Sequence, residues 1–278
     1  MTIDPKAASV RFSNLKLFAR SPFHYYDAIQ GGAREPTLSM RIGTGAHALL
    51  FGTPPVVIYR GGEFTPTGAK KAKTYTDVKN GACWEDFKER NAGKVILSES
   101  EHTKAAAMIR AIQRHSIADP LLFADGTVHE HRIEWLLGGR RCSGTLDALG
   151  PTAITDLKGV VDAGPWKFPR QARSLSYHAQ LTWYRDGVEL AGLGEREPYL
   201  VAVENNAQYS VQVYRLTDAD ERDGRRLYNE WMDRLLECEE SGDWPSYSDA
   251  VLPLNVLNLP PQPEDAEDDE SDASADAA

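Results

Sequence analysis

The stretch GTLDALGPTAITDLKGV, residues 144–160, alternates apolar and polar positions on either side of a Gly-Pro break. That pattern reads as two strands and a turn, because residues two apart share one face of a strand, and glycine and proline punctuate turns. With a two-residue loop at Gly150-Pro151, residue 147 faces residue 154, and Asp147, Asp156 and Lys158 share one face. A four-residue loop changes the partners and keeps the face.

Two carboxylates brought within a few ångströms of each other repel unless a cation or a proton lies between them. Their oxygens are ligands that Mg²⁺ or Mn²⁺ accepts, with waters and phosphate oxygens completing the octahedron. A lysine beside them adds a point charge able to hold a water or offset charge developing on a phosphate. This is the layout of a metal-dependent phosphodiesterase. An Asp-x-Lys triplet occurs four times, at Asp4, Asp77, Asp86 and Asp156, so the triplet alone selects nothing. Only the last lies on a convincing strand preceded by another strand with an acid. Read without further context, a solvated hairpin with a cross-strand ion pair is an equal alternative.

Outward from the hairpin, TVHEHRIEWLL (127–137) reads as a preceding strand, set off by Gly138-Gly139. A helix is expected from about 172 to 190, then strands PYLVAVEN and QYSVQVYRL, then a helix from 217 to about 240. Thr217 with Asp220 makes its capping-box-like start. Upstream, helices are expected over 13–51, with Ser21-Pro22 restarting a second one and MRIGTGAHALLFG forming another. Residues 52–93 read as loop-rich. Ser98 or Ser100 caps a helix through EHTKAAAMIRAIQRHS. The order predicts an α/β (α+β) architecture, a central mixed sheet flanked by helices, in one domain over 1–259 with its core at 126–215.

The tail over 260–278 holds eight acids and no base, and its composition predicts disorder. The net charge is −10, and the body without that tail carries only about −2, which leaves nucleic-acid binding open. Cys83, Cys142 and Cys238 have no CxxC spacing and read as reduced thiols. No apolar run approaches the roughly 20 residues of a membrane span, and the N-terminus lacks a signal-peptide plan, so a cytoplasmic protein is expected.

The blocks GTGAHALLF, SGTLDAL, ITDLKGVVDAG and YHAQLTWY, in that order, resemble the PD-(D/E)XK nuclease superfamily, and within it the RecE-type exonucleases of phage recombination systems. The likeness covers roughly residues 13–215 and includes LKLFARSPFHYY. It implies a restriction-endonuclease-like core and a Mg²⁺- or Mn²⁺-dependent deoxyribonuclease with one or two ions per site. It further implies digestion of linear duplex DNA from an end, 5′ to 3′, in a bacterial or phage-infected cell. A single-strand annealing partner and a ring-shaped homo-oligomer belong to the same expectation.

Carried over by position, Asp147, Asp156, His47 and the Leu157 carbonyl are the implied metal ligands, and Lys158 the implied catalytic lysine. Gln180 and Tyr184, at i and i+4 on the following helix, point at the site, with Tyr177 one turn earlier. Glu130 is an implied supporting acid. Arg140, Arg141, Lys167, Arg170 and Arg173 flank the site in sequence and are candidates for DNA phosphates. One departure stands out: similar proteins often follow the lysine with threonine or serine, and here it is Gly159.

Three other readings compete. GTGAHA fits a degenerate dinucleotide fingerprint with Glu63 about 20 residues on, but no buried strand precedes it. His129 and His131 form half of a zinc site with no matching pair. A catalytically inactive relative that binds DNA or a partner is the third, although every metal and lysine position is filled.

Overall fold

The computed structural model describes residues 4–31, 38–65, 71–76 and 78–253. The first half contains β1 (Val10–Arg11), α1 (Phe12–Leu15), a 3-10 turn (Lys16–Ala19), α2 (Pro22–Ile29), α3 (Leu38–Phe51), β2 (Val56–Tyr59), β3 (Gly62–Phe64), β4 (Lys73–Tyr75), α4 (Gly81–Arg90), β5 (Val95–Ser98), α5 (Glu99–Gln113) and α6 (Ala118–Phe123). The second half contains β6 (Val128–Leu137), β7 (Arg140–Leu149), β8 (Ala153–Val160), α7 (Phe168–Ser174), α8 (Tyr177–Leu190), β9 (Glu197–Glu204), β10 (Val211–Arg215) and α9 (Asp218–Ser241). The acidic tail expected over 260–278 lies outside the described residues.

β6, β7 and β8 are the expected meander. β6 and β7 pair antiparallel from Val128–Leu149 to Leu137–Arg140, closed by Gly138-Gly139. β7 and β8 pair only through Ala148–Thr155 and Leu149–Ile154. Their loop therefore holds four residues, closed by the Gly150 N–H donating to the Ala153 carbonyl at 2.8 Å. This shifts the expected register by two, setting position 147 level with 156 rather than 154, because Gly-Pro is not a favoured two-residue turn. The shared face survives. Beyond those two pairs β8 leaves β7, and β1 takes the same edge of β7 further along, parallel at Cys142 and Ser143. β8 continues instead beside β9, parallel over its whole length, and β10 closes the sheet antiparallel to β9.

Helices cover both faces. Leu200 and Ala202 of β9 enter a cluster with Phe12, Trp183 and Trp231. Val201 and Val203 enter the opposite cluster with Ile42, Met108 and Leu122. A strand buried on both faces has no polar alternation, which is why LVAV is unbroken. The single helix expected over 172–190 is two, α7 and α8, separated by Ser176 in the left-handed region at φ 58°. The loop-rich stretch 52–93 also contains α4. GTGAHA lies inside α3 and not at a strand-to-helix turn, so the dinucleotide reading fails on its context. Among the described residues no helix is long and apolar enough to cross a membrane.

Candidate metal centre and lysine network

The site forms where β7 and β8 part. Where β8 no longer pairs with β7, the Leu157 N–H donates to a side chain of that strand instead: Asp147 Oδ2 accepts it at 2.7 Å. The other oxygen, Oδ1, lies 2.8 Å from His47 Nε2, and His47 Nδ1 lies 3.0 Å from Glu130 Oε1. His47, Glu130 and Asp147 can each offer one ligand atom within 4.8 Å of the others. Glu130 has φ 49°, a left-handed conformation that costs a non-glycine residue on the order of 1–3 kcal/mol. The β6–β7 ladder runs through His129–Ala148 and His131–Leu146 and omits the 130–147 pair between them. Backbone strain thus sits at one prospective ligand, Glu130.

His47 comes from α3, which lies unusually close to β8. A Cβ built on Gly159 would stand 3.4 Å from Gly43 Cα and 3.2 Å from Met108 Cε, and one on Gly45 would stand 2.8 Å from the Leu97 methyls. Gly45 therefore serves helix packing, whereas a Cβ on Gly43 itself would meet nothing within 4 Å. Burial pulls the His47 pKa down, but the Asp147 hydrogen bond and the charges of Asp147, Glu130 and Asp156 outweigh it and leave it raised.

Asp156 and Lys158 form the other half. Asp156 is buried, which raises its pKa against the opposing pull of Lys158. Its Oδ2 lies 2.7 Å from Lys158 Nζ. Burial alone would lower the lysine, yet Asp156 and Asp147 hold it above its ordinary value, so it stays protonated. Lys158 donates to Gln180 Oε1 at 2.9 Å, and Gln180 Nε2 donates to the Tyr184 hydroxyl at 3.3 Å. The Tyr177 ring centroid sits 4.6 Å from Nζ, a cation–π contact. Tyr184, pushed up to about 12 by burial, lies over Gly144, where a Cβ would come within 2.7 Å of its ring. The glycine of SGTLDAL makes room for that tyrosine.

The donor set fits a hard divalent cation. Glu130 Oε1 and Asp156 Oδ2 are buried and, despite lying in ion-pair range of His47 and Lys158, lack a well-aligned hydrogen bond. Buried oxygens in that state beside an imidazole and a third carboxylate suit Mg²⁺ or Mn²⁺. A cavity of about 390 Å³ opens onto this region, lined by His47, Glu130, Leu157, Lys158, Gly159 and Met108 among others.

The expected residues sort unevenly. Glu130, expected as a supporting acid, lies in the trio whose atoms could together hold a metal ion. Asp156 stands outside that trio, turned to Lys158. Arg140 and Arg141 are corrected as flanking residues: they lie seven and six positions from Asp147 along β7, roughly 20 Å or more at about 3.3 Å per residue. Arg140 pairs with Glu239 at 2.9 Å and donates to the carbonyls of Pro5, Lys6 and Ala8, and Arg141 donates to that of Ala7. Both fasten the start of the chain. Lys167 is 3.8 Å from Asp162, Arg170 donates to the Trp166 carbonyl, and Arg173 borders a separate cavity beside His178 and Asp223. His129 Nε2 lies 2.6 Å from the Leu122 carbonyl, so the zinc half-site is not formed there. Sequence reasoning passed over Lys16, which is half-buried. Burial and the charge of Lys158 lower its pKa.

Residues 11–252 match the model of a family described as "PDDEXK-like domain of unknown function (DUF3799)". The chain belongs to this family. Its fold also resembles that of a "Putative exonuclease" from Eubacterium rectale, at 15% identity and a TM-score of 0.61 over 94% of this chain and 92% of that one. Weaker likenesses link it to SSO0001 (11% identity, TM-score 0.29, 80% and 83% covered) and to LHK-Exo in complex with dAMP (14%, 0.27, 73% and 93%). No curated protein matches the sequence. A PDDEXK-like core with this donor set is consistent with a nuclease-type hydrolase.

Proposed function

We propose that this PDDEXK-like protein is a metal-dependent deoxyribonuclease of the RecE type, digesting linear duplex DNA from an end in the 5′ to 3′ direction. The observation that carries the reading is the junction of two half-sites across the β7–β8 split: the His47–Glu130–Asp147 trio and the Asp156–Lys158–Gln180–Tyr184 chain. His47, Asp147, Asp156, Glu130 and the Leu157 carbonyl would hold one or two Mg²⁺ ions, which when bound would supply Lewis acidity at a phosphate oxygen and lower the pKa of a water. Lys158, kept protonated by its carboxylate neighbours, orients that water and offsets charge on the phosphate. Gln180 and Tyr177 hold the lysine against its own flexibility, and Tyr184 holds Gln180. In this reading the exposed cations Lys167, Arg170 and Arg173 track DNA phosphates, the resected strand passes to an annealing protein, and a ring of copies keeps the enzyme on its substrate.

Linear duplex labelled at the 5′ or the 3′ end, incubated with Mg²⁺ or EDTA beside a covalently closed circle, tests this. The expected outcome is Mg²⁺-dependent loss of the linear DNA, early release of the 5′ label and survival of the circle. Asp156→Ala and Glu130→Ala should each slow cleavage by at least about 100-fold while remaining folded. Cleavage equal in Asp156→Ala and the unsubstituted protein would sink the site assignment. A folded protein that binds DNA and never cuts it would be a binding module.

A further inference from the structure

The loop after β8 leads from Lys158 into α7, and its side chains divide cleanly. Phe168 is buried and Ala172 packs on the same core, four residues apart on the inner face. Arg170 and Arg173 of α7 are exposed, as is Trp166 in the turn that precedes the helix. Trp166 is 79% exposed, and Val161 and Leu175, on the same loop-and-helix segment, are 57% and 41% exposed. An indole this open presents a broad flat apolar face for contact. The turn that presents it is anchored. The Phe168 N–H donates to the Gly164 carbonyl at 3.0 Å, and Arg170 holds the Trp166 carbonyl. At the far end of α7, the left-handed Ser176 leads into Tyr177, whose ring covers Lys158. The segment from Trp166 to Tyr177 therefore carries an exposed indole and exposed cations on the chain that leads directly to the ring covering Lys158.

We propose that Trp166 is a base-stacking residue for an unpaired DNA strand, with Arg170 on its phosphates. The inference rests on the nuclease reading for why a strand would pass here. Charge and shape favour this occupant. Cations with an open indole among them match a polyanion that carries flat apolar bases, and only a base outside its own stack can meet the indole face. Asp162 pairs with Lys167 at 3.8 Å and Asp223 is taken by Arg226 and His178, so the positive charge offered on this face is that of Arg170 and Arg173. Duplex DNA, whose bases are stacked internally, offers Trp166 no such partner.

The test measures binding of the full chain in EDTA to two dye-labelled oligomers of equal length, an oligothymidylate and an abasic strand with the same phosphates. Trp166→Ala should weaken oligothymidylate binding by about 5- to 150-fold and leave abasic binding within about 2-fold. Trp166→Phe should retain most of the affinity, and Arg170→Ala should weaken both oligomers. Equal weakening of both by Trp166→Ala, or of neither, overturns the stacking role. So does a change in the sedimentation of the DNA-free protein, which would mark Trp166 as a contact between copies. Mg²⁺-dependent cleavage by the same preparation keeps the two ideas apart. Cleavage without base-dependent binding rejects the stacking role alone, and base-dependent binding without cleavage rejects the nuclease reading alone.

Discussion

Replacing Gly159 by threonine, the residue that often follows the lysine in similar sequences, should separate α3 from the sheet. A Cβ at this position meets Met108 Cε at 3.2 Å and Gly43 Cα at 3.4 Å. The methionine end is flexible and can yield by a few tenths of an ångström, so Gly159→Ala should change stability by no more than about 0.5 kcal/mol, helped by the lost entropy of glycine in the unfolded chain. Threonine adds two branch atoms beyond that Cβ, and the Gly43 backbone cannot rotate away. Overpacking of this kind costs about 1–3 kcal/mol, or about 2–4 °C of melting temperature per kcal/mol for a chain of this size. His47 lies one helical turn beyond Gly43 on α3, so displacement of the helix also opens its 2.8 Å contact with Asp147. Urea unfolding of both variants, paired with calorimetric titration of Mn²⁺, checks the argument. The threonine variant should lose stability and Mn²⁺ affinity together, and the alanine variant neither. A threonine variant as stable as the alanine one, with unchanged Mn²⁺ affinity, would refute the claim that close helix-to-strand approach is what glycine provides here.

Two further outcomes follow from buried ion pairs away from the site. Burial of Glu101 raises its pKa, but Lys79, the Ser98 N–H and Arg41 outweigh that and leave it below the usual carboxylate range. A depressed folded-state pKa contributes stability that is complete above the unfolded value of about 4.3 and is lost as pH falls through the folded one. Glu101→Gln should therefore cost about 3–5 kcal/mol at neutral pH, and urea unfolding should find the gap to the unsubstituted protein closing below about pH 4. Arg140→Ala leaves the buried Glu239 without its cation and should also cost about 3–5 kcal/mol, with no change in the salt dependence of DNA binding measured by anisotropy. A shallower salt slope in that variant would return Arg140 to the DNA-binding surface.

The parts of the site that could be read from the sequence are those carried by short-range periodicity. Alternation fixes which face Asp147, Asp156 and Lys158 share, and that conclusion tolerates a loop of two residues or four, so the register error did no harm. Glu130 was readable in principle. Gly138-Gly139 is a tight two-residue turn joining Leu137 to Arg140, and counting back along both strands from that pair sets position 130 level with 147. Hairpin counting, rather than likeness, was the signal for its place beside the other ligands. The same arithmetic argues against Arg140 and Arg141. Neighbours in sequence on a strand draw apart by about 3.3 Å per residue, so flanking an acid by six or seven positions means distance from it. The break at Ser176 is different in kind. Nothing in RSLSYHAQ marks it, since no glycine or proline stands there, and the left-handed turn is imposed by packing on either side: Phe168 anchors α7 while Ala179 and Trp183 anchor α8. That break sets Tyr177 against Lys158 and leaves Trp166 on the outside. The face shared by Asp147, Asp156 and Lys158 is thus written locally in the hairpin, whereas what surrounds it is decided by how two helices settle on a sheet.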